Sequence, residues 1–470
     1  MSFDLQGKKI LIVLFGAIGD VIRALPLAAR IKNSYPSVEL HWAIEPKSVG
    51  ILEGNRWVDR VVLFERGRGL SGARDFLFDV RSQKYDIVLD LQRIFKSGLT
   101  SFFSRAPLRL GFGKRNCKEL NWIFNNRYIE DHENFSWKFG HYQLFGDLLG
   151  LPTFHIDEFH FKSLAPEPLA SKYLGPESLG ARHLSHRHLS PMHSKCQTPS
   201  AGIVSSSDIS TTISSVNIGA RHPAIQTPIA SSYRKGLSID FGIVISKEHY
   251  ENADNLLGGL KSFVTLIIGS SWKSRYWPEE KYVELILKLY RIYGIRSVLV
   301  GGPGDIDIAN RIIEAVEKSS HEDMCLAPKD LAPKDSEPKN LAPKNFEQGN
   351  TPQEDFKGNK YMPIALNLLG KTRLLDLGAV LERSLITIGP DTGPSHLSAA
   401  LGVPVITLWG STSPKRSYPY GFEDLIVETK LECRSCYKRS CPGLNTLCMQ
   451  TISADDVLEK VDLIINSTSR

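Results

Sequence analysis

Apolar and polar positions alternate in two distinct rhythms along the chain. Residues 10–15 form a short continuous apolar run within a strand expected at 9–15, residues 16–19 a Gly-containing connection, and residues 20–34 place Ile22, Leu25, Ala29 and Ile31 at helical spacing. The first pattern predicts a buried strand and the second a helix with one face turned to a core. Further strands are predicted at 38–43, 60–64 and 85–91. A second block opens near Ser262, with strands at 263–268, 296–300, 385–388 and 403–408 and helices at 278–293, 374–382, 396–401 and 454–465. Pro278 suits the first position of its helix, where no backbone N–H is needed. Strands separated by helices predict parallel sheets covered on both faces, so the chain reads as α/β with two doubly wound units.

Two stretches break this rhythm. Residues 164–239 are rich in Ser, His, Pro and Thr and lack apolar periodicity. Residues 326–345 repeat a five-residue unit, Leu326-Ala327-Pro328-Lys329-Asp330 and then Leu331-Ala332-Pro333-Lys334-Asp335, followed by two near copies. Such composition buries too little apolar surface to offset its ordering entropy, so both are expected to be disordered surface insertions. The expected division is an N-terminal domain at 1–163, an insertion at 164–239, a second domain at 240–450 interrupted by the repeat-containing segment 325–358, and a closing helix at 451–470. His183, His186, His188, His193 and Cys196 lie in the first insertion, where metal binding is expected to be adventitious.

Composition narrows the function classes. The 470 residues carry a formal net charge of +6, mild for this length and compatible with an acidic substrate or a membrane surface. No contiguous basic run interleaved with aromatics argues for nucleic acid. No segment is apolar enough to span a bilayer, and residues 1–9 lack the features of a secretory signal, so a cytoplasmic location is expected. Seven cysteines in so long a chain do not make a disulfide scaffold. Four cluster as Cys433-x2-Cys436-x4-Cys441-x6-Cys448, a spacing open to zinc but not the paired C-x2-C arrangement; structural or free thiols are the favoured reading.

Three turns carry candidate chemistry. Gly16-Ala17-Ile18-Gly19-Asp20 joins a strand to a helix, with small residues that let a ligand approach and a helix start that favours anions. It is not a complete dinucleotide fingerprint, although Glu45, at the end of the next strand, suits a ribose contact. Asp20 reads either as a helix cap or as a catalytic carboxylate. Gly269-Ser270-Ser271-Trp272-Lys273-Ser274-Arg275 follows a strand, and its hydroxyls and cations suit a diphosphate; an ordinary solvated basic loop is the alternative. Gly389-Pro390-Asp391-Thr392-Gly393-Pro394-Ser395-His396 again joins strand to helix, where free amides point at a phosphate. Ligands of open parallel sheets bind beyond the carboxyl ends of the strands, so two lobes facing across a cleft are expected.

These motifs, with Gly19-Asp20 through Pro26, Asp90-Leu91-Gln92 with Lys96, Trp277-Pro278, Gly301-Gly302-Pro303 and Leu408 through Pro414, resemble glycosyltransferase family 9, the heptosyltransferases, in order and spacing across almost the whole chain outside the two insertions. The resemblance implies a GT-B fold of two Rossmann-like domains. It also implies inverting transfer from a nucleotide-sugar, commonly ADP-L-glycero-D-manno-heptose, to the lipopolysaccharide inner core, with a lipid-linked oligosaccharide acceptor and peripheral contact at the inner membrane. By position, Asp20 matches the general base. Ser270, Ser271, Lys273, Arg275, Asp305, Asp391, Thr392, Gly393 and His396 match the donor side. Gly19, Arg23, Gln92 and Lys96 are expected on the acceptor side. Arg275 stands where the family usually has Lys, which keeps the charge. No cofactor or metal is expected to be required, because no Asp-x-Asp motif occurs in the donor-phosphate loop at 389–396. Two rivals remain from the residues alone: an NAD-dependent oxidoreductase, and a non-catalytic glycan-binding protein of the same fold.

Overall fold

The computed structural model describes residues 3–133, 136–152, 239–326, 362–443 and 445–467, so most of the two predicted insertions lies outside the described residues. The helix Ile306–Leu326 runs through the first residue of the five-residue repeat.

Two six-stranded parallel sheets form the frame. The first holds β1 (Lys9–Val13), β2 (Glu39–Ile44), β3 (Arg60–Leu63), β4 (Ile87–Asp90), β5 (Leu108–Gly111) and β6 (Arg127–Tyr128), in the order β3-β2-β1-β4-β5-β6. The second holds β7 (Phe263–Ile268), β8 (Arg296–Gly301), β9 (Ala365–Asn367), β10 (Thr387–Pro390), β11 (Val405–Trp409) and β12 (Ile426–Glu428), in the order β12-β11-β10-β7-β8-β9. Both orders are the doubly wound arrangement of the GT-B fold. The central strands read as unbroken apolar runs because helices cover both faces; β7 is buried at every position. Strands β5, β6, β9 and β12 were not legible, being two to four residues of mixed polarity at or near sheet edges.

Chain order reverses between β1 and β4 in the first sheet and between β7 and β10 in the second. Such switch points open a crevice at the carboxyl ends of the strands. Val13 pairs with Asp90, so the turn after β1 and the residues after β4 share one crevice. Thr387 pairs with Thr265, which sets the turns after β7 and β10 side by side.

The helix Ile18–Ser34 is buried nearly all round, beyond the single face its periodicity predicted. It packs on the helix Lys138–Leu148 and, from the other lobe, on the helix Gly393–Ala400. Its buried arginines, Arg23 and Arg30, are therefore obliged to find partners. Arg30 is 3% exposed and satisfies its guanidinium on the carbonyls of Gln143, Leu151 and Pro152 and on Asp147. These bonds lock the two helices in register and so set Lys138 against Asp20.

Candidate active site

Two glycines let the lobes meet. A methyl group on Gly19 would come within 2.7 Å of the His396 ring, and one on Gly393 within 3.0 Å of Ile18. The starts of the helices Ile18–Ser34 and Gly393–Ala400, one from each lobe, therefore touch. A chain of charged groups crosses the contact. Lys138 Nζ donates to Asp20 Oδ1 at 2.9 Å, and Arg23 Nη2 donates to the same oxygen at 2.5 Å. Arg23 Nη1 donates to His396 Nε2 at 2.5 Å, and His396 Nε2 lies 3.1 Å from Asp391 Oδ1. Arg275 Nη1 donates to the Asp391 carbonyl at 2.7 Å and stands 3.3 Å from Oδ2, which also accepts from Ser417 Oγ.

The titration behaviour follows from this geometry. Burial works against ionisation of Asp20, but Lys138 and Arg23 outweigh it and hold the carboxyl well below the usual carboxylate range. Burial works against ionisation of Asp391 too, but the guanidinium groups of Arg275 and Arg23 outweigh it and hold the carboxyl down to about 2. Burial, reinforced by Arg23, lowers His396 to about 4. The imidazole is therefore neutral near pH 7, and because arginine only donates, Nε2 serves as acceptor toward Arg23. The Asp391 oxygen beside it is then a close electrostatic neighbour rather than a hydrogen-bond partner.

Asp20 is not a helix cap. The N-cap of its helix is Ala17, and Asp20 sits in the first turn with its carboxylate on side-chain cations instead of backbone amides. Both cations fall on Oδ1; among the described residues no donor reaches Oδ2, and the side chain keeps 21% of its surface exposed.

A cavity of about 180 Å³ lies beside it, lined by Asp20, Gln92, Arg93, Lys118, Lys138, His141 and Arg416 among others. Its cations come from both lobes. The loop bearing Arg416 is set by aromatic stacking, with the Trp137 and Tyr418 rings 5.0 Å apart and 7° from parallel. Phe139 stacks on Tyr420 at 4.9 Å in the same way.

The residues proposed from sequence are distributed unevenly. Asp20, Gly19, Arg23, Asp391, Gly393 and His396 meet at the lobe contact. Arg23 is 8% exposed and bridges Asp20 to His396 rather than opening to an acceptor. Gln92 lines the cavity while its Oε1 accepts from the Phe15 amide at 2.9 Å. Lys96 is exposed on the helix Phe95–Phe103 and does not line that cavity. Arg275 lies over the Trp272 ring at 4.4 Å, and Ser270 accepts from the Trp272 amide. Ser271 and Lys273 are exposed in the same loop, and Thr392 is the N-cap of the His396 helix. Asp305 follows β8 and accepts from the Tyr276 hydroxyl at 2.6 Å. Cys433, Cys436, Cys441 and Cys448 are free thiols, the last buried. Among the described residues no three His, Cys, Asp or Glu side chains stand close enough to hold a metal, and no helix is long and apolar enough to cross a membrane.

Lys138, Arg93, Lys118, His141 and Arg416 were not anticipated. Lys138, His141 and Lys118 lie on elements distant in sequence from every motif, whereas Arg93 directly follows Gln92 and Arg416 stands two residues past Pro414, so only adjacency to those motifs could have signalled them.

Two doubly wound lobes with their switch points facing are the GT-B architecture. The profile of glycosyltransferase family 9 (heptosyltransferase) matches residues 74–157 and 351–446, one segment in each lobe. The chain is similar to the lipopolysaccharide core heptosyltransferase OpsX of Haemophilus influenzae, with 20% identity over 422 residues, 89% of this chain and 84% of the relative. Its fold is that of the family 9 glycosyl transferase of Veillonella parvula, with a TM-score of 0.62 at 16% identity, covering 99% of this chain and all (100%) of that one. The ADP-heptose lipopolysaccharide heptosyltransferase II of Escherichia coli aligns with a TM-score of 0.58 at 15% identity, over 98% of this chain and 100% of that chain. The enzyme is a glycosyltransferase of the lipopolysaccharide core heptosyltransferase kind.

Proposed function

We propose that this enzyme transfers L-glycero-D-manno-heptose from its ADP derivative to the lipopolysaccharide inner core, with inversion at the anomeric carbon. The donor assignment is supported by the family and by the Escherichia coli neighbour, which is named for ADP-heptose. The observation that carries the mechanism is the asymmetry at Asp20: two cations on Oδ1, and Oδ2 without a protein donor among the described residues, beside the cavity. An acceptor hydroxyl in that cavity attacks the anomeric carbon as the bond to the diphosphate oxygen breaks, and its proton passes to Oδ2. Arg23 and Lys138 keep the carboxylate ionised and aimed. The price is weak basicity, which suits a proton transfer that occurs late, once the new bond has acidified the hydroxyl.

On the donor side, Arg275, Lys273, Ser270 and Ser271 stabilise the departing diphosphate with the helix start at Thr392 and Gly393, and Asp305 faces the nucleoside. Asp391 and His396 hold Arg275 and Arg23 in place across the lobe contact. Arg93, Lys118 and Arg416 give the cavity a positive field for an anionic, lipid-linked acceptor. The enzyme works from the cytoplasmic side, in peripheral contact with the inner membrane.

Purified enzyme, an acceptor of lipid A bearing its inner-core sugar acid, and a panel of nucleotide-sugars test the reading by ADP or UDP release. Turnover confined to ADP-heptose is expected, and preference for a hexose donor overturns the donor assignment. Asp20→Asn should fold and bind nucleotide as before but lose about a hundredfold or more in turnover. Transfer within a fewfold of the parent removes Asp20 as the base.

A further inference from the structure

The helix Phe95–Phe103 is inside out. Its buried positions are Ser97, Gly98, Thr100 and Ser101, while Phe95, Phe102 and Phe103 are exposed at 43%, 53% and 38%. A helix facing only water would turn its phenylalanines inward. The buried hydroxyls are satisfied, with Ser101 donating to Asn125 Oδ1 at 2.7 Å and Ser97 to the Ile94 carbonyl at 2.8 Å. Asn121 and Asn125 in turn donate to the buried Asp90 at the end of β4. This polar underside fastens the helix in one orientation, so the outward rings are a built surface.

The surface continues onto the next turn. Phe124 meets Phe95 at 5.2 Å and Phe102 at 6.2 Å, and Leu120 and Ile123 beside it are 62% and 51% exposed. Of the fourteen large apolar side chains exposed among the described residues, nine lie between residues 63 and 128. The same region concentrates charge. Residues 93–128 carry eight Lys or Arg against one acidic residue, Glu119, a surplus of seven where the whole chain's formal surplus is six. Lys96, Arg105, Lys114, Arg115 and Lys118 are exposed.

We infer that this face seats the enzyme on an anionic lipid bilayer, with the phenylalanines, Leu120 and Ile123 entering the headgroup boundary and the basic rim meeting acidic lipids. The face adjoins the cavity: Arg93 and Ile94, just before Phe95, and Lys118, two residues before Leu120, line it. Docking there brings a membrane-anchored acceptor to Asp20 without lifting its acyl chains from the bilayer. Only this last consequence rests on the proposed acceptor; the docking does not.

The test is co-sedimentation of the full chain with acceptor-free vesicles, of phosphatidylethanolamine alone and mixed with phosphatidylglycerol. Binding to the anionic vesicles, falling with salt, is expected for the parent. Phe102→Ser with Ile123→Ser should weaken it about tenfold or more, with an unchanged unfolding midpoint and unchanged turnover of a deacylated, soluble acceptor. Absence of parental binding, or equal binding by the double variant, overturns the proposal. So does a loss of self-association in the double variant without vesicle binding, which would mark a face between copies, or tighter binding of single-stranded RNA that depends on the same residues. A turnover failure with intact vesicle binding counts against the acceptor reading alone.

Discussion

Removing the charge of Lys138 should move the proton affinity of Asp20, and the size of the effect follows from geometry. Lys138 Nζ lies 2.9 Å from Oδ1, and the carboxylate side chain is only 21% exposed, so water screens the pair weakly. An opposite charge at such range lowers a carboxyl pKa by about one to three pH units. Arg23 remains in Lys138→Met, so the change is partial, and about one pH unit or more is expected. The base must be ionised to act, and its pKa is depressed in the parent, so the acid limb of kcat/KM lies below the ordinary carboxylate range. In Lys138→Met the limb moves up toward neutrality; Lys138→Arg, which keeps the charge, should leave it near the parental position. The assay is initial-rate ADP release across pH, limited to the range where circular dichroism shows each variant folded, together with titration of the Asp20 carboxyl by carbon NMR without substrate. A fall in turnover with neither the limb nor the carboxyl titration displaced refutes the reasoning and makes Lys138 merely a packing residue.

Arg275→Lys should retain more activity than Arg275→Ala in steady-state assays, because charge on the leaving diphosphate is its proposed role; equal losses would mean that two-pronged guanidinium geometry is essential. Stability should fall as pH drops from about 6.5 to 4. His396 is held at about 4 and His141 at about 3 in the folded chain, so the unfolded chain takes up protons first through this window. Each imidazole contributes on the order of 3 kcal/mol by pH 4, and a urea midpoint equal at pH 7 and pH 4.5 contradicts this. The depressed Asp20 and Asp391 act lower: their contribution is complete above the unfolded carboxyl pKa and is lost only as pH falls through the folded values.

The local pattern of this chain determined its central strands, the helices that begin near Gly19, Pro278 and Gly393, and the turns that bear Asp20, Arg275 and His396. A strand buried on both faces must be largely apolar, as β7 is, and a turn rich in small residues and donors, as Gly269 to Arg275 is, is legible as a candidate phosphate site. What local pattern could not decide was which of two permitted roles a side chain takes. Asp20 near a helix start is equally well a cap; only the arrival of Lys138 and of Arg23, its orientation set by His396 in the other lobe, turned its carboxylate from the backbone to the cleft. The helix Phe95–Phe103 has an amphipathic sequence with no mark of which face looks inward. Its orientation was decided by Asp90, Asn121 and Asn125, whose buried polar groups require the hydroxyl face as partner and leave the phenylalanines outside. Periodicity is a property of neighbours along the chain, whereas electrostatic and hydrogen-bond satisfaction is settled between residues that only the fold brings within three ångströms of one another.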